Sequence, residues 1–108
     1  MSFTLWLEFE HVAFAEDWDS TDDFCNIHVD LADGRHYGLN VWTYKFIRRA
    51  ATADKLSGDN SGGRYQIPPD LLVEDLTRDC IEIVIADLLR RGNLEEVLNP
   101  SVLAKDSK

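Results

Sequence analysis

The sequence predicts an α+β domain: an antiparallel three- to four-stranded meander, one long helix packed on a face, and a short C-terminal helix. Three observations carry this expectation. Apolar and polar residues alternate from Phe3 and again from Phe24, the period of half-buried strands. Asp33-Gly34 separates the second alternating run from a third, as in a hairpin. The stretch 70–91 carries apolar residues at helical spacing between a Pro68-Pro69 opening and Gly92, which are start and stop signals.

The elements follow in order. Phe3, Leu5, Leu7 and Phe9 oppose Thr4, Trp6, Glu8 and Glu10, so a first strand is expected over about 3–14. Residues 15–23 (AEDWDSTDD) are acidic turn formers and read as a loop. A second strand is expected at 24–32, with Cys25, Ile27, Val29 and Leu31 on one face and Asn26, His28 and Asp30 on the other. A third is expected at 35–46. Gly34 suits the left-handed last position of a three-residue turn. That turn sets Val29 against Tyr37, Ile27 against Leu39 and Cys25 against Val41, with Asp30 facing His36. A two-residue turn would slip the register by one and set apolar residues against polar ones, so the hydrophobic pattern selects the first.

Further along, Ala50–Leu56 reads as one or two helical turns, and 57–63 (SGDNSGG) as a mobile loop. Tyr65–Ile67 reads as a short edge strand or an extended lead-in. The long helix is expected at 70–91, its apolar arc covering more than half the circumference, which is wider than one sheet requires. Asn93–Glu96 resembles a capping box, so a short helix is expected at 94–99.

The chain of 108 residues reads as a single domain, 1–108. Hydrophobic residues make up 44% and charged residues 29%, ordinary for a globular protein and unlike a disordered or membrane chain. Glu8 and Glu10 interrupt the first apolar stretch, and no positive segment precedes it, the reverse of a secretory signal. A cytoplasmic location is therefore expected, with Cys25 and Cys80 as reduced thiols. The net charge of −9 is uneven: residues 1–33 carry nine acids and no Lys or Arg, while residues 34–69 carry six bases against two acids. Such a balance disfavours nucleic acid and favours a basic protein partner.

Three constellations stand out. The loop residues Glu16, Asp17, Trp18, Asp19, Asp22 and Asp23 are the first candidate partner-binding site, with Trp18 as an aromatic anchor. The second is the polar sheet face, where His28, Asp30 and His36 share one side of the hairpin and suit a facial metal triad or an acid–base set. The third is aromatic: Trp6, Phe24, Trp42 and Tyr44 fall on that same side, exposed or covered by the 48–56 segment. Lys45, Arg48 and Arg49 form a small basic cluster. No GxGxxG, P-loop, GxSxG, CxxC or HExxH pattern is present, which argues against a mainstream enzyme and assigns no catalytic residue, metal or cofactor.

The stretch Asp33–Thr43 (DGRHYGLNVWT) resembles a hairpin of small uncharacterised bacterial α+β proteins, and Ile67–Leu72 (IPPDLL) fits the same likeness. In size, acidity and layout the chain is similar to the immunity proteins that neutralise secreted bacterial toxins. The resemblance implies a non-enzymatic module whose acidic surface occludes a basic toxin domain. A small metal protein or enzyme using His28, Asp30 and His36 is the first alternative. A homodimeric regulatory adaptor using the wide apolar arc is the second.

Overall fold

The computed structural model describes residues 2–92 and Leu94. Four strands form one mixed sheet in the order β1 (Phe3–Leu7), β2 (Phe24–Leu31), β3 (His36–Thr43) and β4 (Leu71–Val73). Helix α1 (Tyr44–Ser57) and the short α2 (Asp59–Gly63) connect β3 to β4, and α3 (Arg78–Arg91) follows. The α+β class is as the patterning predicts. The sheet is an antiparallel meander only through β3, because β4 runs parallel to β3.

The central hairpin has the register that hydrophobic matching requires. Val29 pairs with Tyr37, Ile27 with Leu39, Cys25 with Val41 and Asp30 with His36. Gly34 closes the turn at φ +96°, its N–H donating to the Leu31 carbonyl at 3.0 Å. Strand β1 adds Leu5 against Val29 and Leu7 against Ile27. It ends at Leu7, short of the expected 14, where the chain tightens into a 3₁₀ turn at Glu8–Glu10.

Each remaining difference has a local cause. The third strand stops at Thr43 because that residue caps a helix. Its hydroxyl accepts from the Phe46 N–H and also from the Asp23 N–H, both at 3.2 Å. One group thus begins α1 and ties it to the acidic loop. Helix α1 is consequently longer than the one or two turns expected, and Gly58, at φ +88°, ends it. The 57–63 segment, read as a loop, contains the short α2, in which Asn60, Ser61 and Gly62 are all left-handed. Asp54 holds it by accepting from Asn60 Nδ2 and Gln66 Nε2.

The helix expected to open at residue 70 begins at Arg78. Pro68 and Pro69 favour extended backbone before them. Asp70 then bonds both backbone groups of Asn40: its N–H donates to the Asn40 carbonyl at 3.1 Å, and its Oδ2 accepts from the Asn40 N–H at 2.8 Å. That pairing lays Leu71–Val73 alongside β3, in place of the edge strand considered at 65–67. Thr77 is the actual cap, accepting from the Cys80 N–H at 3.3 Å. Leu72, Val73 and Leu76 therefore leave the helix, and its apolar arc narrows. The short helix expected at 94–99 lies, Leu94 apart, outside the described residues.

Helix α3 covers the apolar sheet face. Ile81, Ile85 and Leu94 join Leu7, Ile27, Val29, Leu39, Val41 and Val73 in the core, and Phe3, Leu5, Cys80 and Val84 pack around it. Each fully buried Leu or Ile contributes roughly 1.5–3 kcal/mol. Arg78, in the first turn, reaches back to the start of the chain and donates to Glu10 from Nη2 at 2.6 Å and from Nε at 2.8 Å. That contact holds the Glu10 carboxyl below its ordinary range. Among the described residues, no helix is long and apolar enough to cross a membrane.

Candidate functional site

Helix α3 packs on one sheet face, and on the other the polar residues meet as the pattern predicts. His36 Nδ1 contacts Asp30 Oδ1, and His36 Nε2 lies 3.2 Å from His28 Nδ1. Trp6 on β1 sets its ring at 5.1 Å from His28, edge to face, and stacks on His11 at 5.2 Å. Asp30, His36, His28, Trp6 and His11 therefore form one row across three strands. The row differs from a facial triad. Asp30 is turned to the far nitrogen of His36, and no group of three His, Cys, Asp or Glu suited to a metal occurs among the described residues.

The aromatic residues of this face divide. Phe46, delivered by the first turn of α1, packs edge-on to Trp42 at 5.2 Å and near Phe24 at 5.1 Å. Phe24 still exposes 53% of its surface and Trp6 40%. The 44–57 helix thus covers one end of the face and leaves the histidine row open.

The acidic loop is organised mostly by internal contacts. Asp19 accepts from Lys45 Nζ at 2.7 Å, and Asp22 accepts from Arg49 Nε at 2.9 Å. The Lys45 hydrogen bond, then those from Thr21, hold the Asp19 carboxyl well below the usual range. Asp23 accepts from Trp18 Nε1 at 2.8 Å. Trp18 stacks on Phe14 at 3.9 Å and packs against the core, so it is an internal prop more than a projecting anchor. Lys45 and Arg49 of the basic cluster are thereby committed to the loop's own carboxylates. Of the six loop residues singled out, Glu16 and Asp17 remain exposed, with no ion pair or hydrogen bond among the described residues.

No family model, curated protein or solved structure matches the chain.

The fold adds acids that sequence spacing did not connect to the loop. The Leu76 N–H donates to the Ser20 carbonyl at 2.9 Å, and the Ser20 hydroxyl donates to Asp75 Oδ1. Residues 74–79 therefore lie against the 16–23 loop, more than fifty positions away. Glu74 and Asp79 there are exposed and unpaired among the described residues. They border a groove of about 600 Å³ beside β4 and α3, lined by Leu72, Cys80, Ile83 and Val84 with Tyr44. The missed signal was Thr77: as a helix cap it would have released 70–76 from the helix and placed Glu74 and Asp75 in a loop. Burial pushes the Cys25 thiol up to about 12, with the Glu8 and Asp23 charges adding to it, so this cysteine is an inert core residue.

Proposed function

We propose that the chain is a non-enzymatic protein-binding module whose acidic surface engages a basic protein partner. A toxin-neutralising immunity protein, acting by occlusion, is its most concrete form. The observation that carries the reading is the joining of two acidic segments at Ser20 and Leu76. It joins the segment carrying Glu74 and Asp79, which border the groove beside β4 and α3, to the loop that carries Glu16 and Asp17. Carboxylates without internal partners are those free to meet Lys or Arg on another protein. Apolar surface beside them supplies the desolvated contact that charge alone lacks. Charge complementarity would act mainly on association rate and specificity.

Capture from lysate with the wild type and with a Glu16→Gln/Asp17→Asn/Glu74→Gln/Asp79→Asn variant tests this. A basic protein should be retained by the wild type at low salt. With that protein in hand, the variant should associate at least tenfold more slowly at low salt. Equal association rates would remove this surface from the function.

A further inference from the structure

The histidine row has a use that the acidic surface does not explain. His28 and His36 project from neighbouring strands on the same face, and Gly38, opposite His28, sets no side chain between them. Their facing nitrogens lie 3.2 Å apart, with ring centroids at 5.2 Å. Two nitrogens so separated, each at the roughly 2.0–2.1 Å of an imidazole–metal bond, subtend about 100° at a shared ion. That angle lies between the octahedral and tetrahedral values.

We propose that His28 Nδ1 and His36 Nε2 chelate a divalent cation from the copper-to-zinc end of the first transition row, with Asp30 as the carboxylate that orients His36. Imidazole nitrogen suits these ions, and copper(II) binds most tightly in the series. The Asp30 carboxylate takes the hydrogen bond from His36 Nδ1. The lone pair at Nε2 is then left pointing toward His28, the second-shell arrangement that fixes the tautomer of metal-bound histidines. Without metal, one proton bridges the two facing nitrogens. The ion binds beside the line between the two nitrogens, and His28 moves its proton from Nδ1 to Nε2 to free the ligating lone pair, so no net proton is lost.

Two protein ligands leave the other coordination positions to water. The His36 side chain is 46% exposed and that of Asp30 54% exposed, so ions reach the pair from solvent and exchange with it. Trp6, edge-on to His28, is a built-in reporter, because copper(II) quenches a nearby indole.

The test uses tag-free, full-length protein titrated with copper(II), followed by calorimetry and tryptophan fluorescence, with zinc(II) as competitor. One equivalent should bind with quenching, and zinc(II) should displace it. His28→Ala and His36→Ala should each lower affinity by well over tenfold, and Asp30→Asn by about tenfold, as for other outer-shell partners. His11→Ala should bind as the wild type does, and circular dichroism should find every variant folded. The glutamine variants at 28 and 36, which keep bulk and polarity, should behave as the alanine ones. Undiminished binding by the His28→Ala/His36→Ala double variant, or no stoichiometric binding by the wild type, would overturn the assignment.

Discussion

Asp19 joins the acidic loop to α1, and its ionisation makes that link depend on pH. Lys45 Nζ, first, and then the Thr21 hydroxyl and amide hold its carboxyl well below the ordinary range. A carboxyl with a depressed folded-state pKa binds protons more weakly in the folded chain than in the unfolded one. Its contribution is therefore complete above the ordinary aspartate value, about pH 4, and fades as pH falls through the folded value. Lys45, raised by the same contact, sets the opposite limit: its share persists through neutral pH and fades only as pH rises past the usual lysine value. The pair is exposed, so its effect is small. Melting temperatures of the wild type and Asp19→Asn should differ modestly near neutral pH and converge under strong acid. A gap that stayed constant from neutral pH to about pH 2 would show that the ion pair contributes nothing. This residue also marks how far the candidate site was legible. The acids were plain in the sequence, but their neutralising partners Lys45 and Arg49 lie on a helix whose start is set by Thr43. Which acids stay free could not be read from spacing.

Among the elements, the β2–β3 hairpin was legible because two independent local signals agreed. Gly34 specified the turn, and alternation in both strands admitted one register. The start of α3 was not legible, because its signals conflicted. Pro68-Pro69-Asp70 has the composition of a helix opening, yet Asp70 uses its carboxylate and amide on Asn40. A three-residue strand such as Leu71–Val73 is too short to show periodicity, and only its neighbour β3 identifies it. The prediction at this scale concerns the cap. Thr77→Ala should lower unfolding stability by about 1 kcal/mol and Thr77→Ser by less, read from denaturant midpoints. If Thr77→Ala were neutral, the Cys80 N–H would be served as well by water as by the hydroxyl.

At the scale of the molecule, the two faces of the sheet serve different ends. One is closed by α3 into the core, and the other keeps its histidines open to solvent. The strand part of the core was legible: Leu7, Ile27, Val29, Leu31, Leu39 and Val41 are buried as the alternation requires. In α3 the fully buried stripe is Ile81 and Ile85, with Cys80 and Val84 partly buried beside it, a choice among the faces of a wide apolar arc that periodicity alone does not make. The junction of the two acidic segments is a tertiary product, made where Ser20 accepts from the Leu76 N–H and donates to Asp75, and no reading of local pattern reaches it.

The parallel pairing of β4 implies an order of assembly. Strands β2 and β3 meet across a tight turn, whereas Leu71 reaches Val41 only after the whole of α1 and α2 has been traversed. Closing a longer loop costs more chain entropy before any contact repays it. Val29→Ala, in the hairpin, should therefore slow refolding, while Val73→Ala, in β4, should mainly speed unfolding. Stopped-flow kinetics would separate the two, and the reverse assignment would mean that the crossover docks first. If β4 arrives last, so do Glu74 and Asp79 behind it. The 74–79 segment then meets the 16–23 loop only at the final step, and a partly folded chain lacks the acidic surface that the two make together.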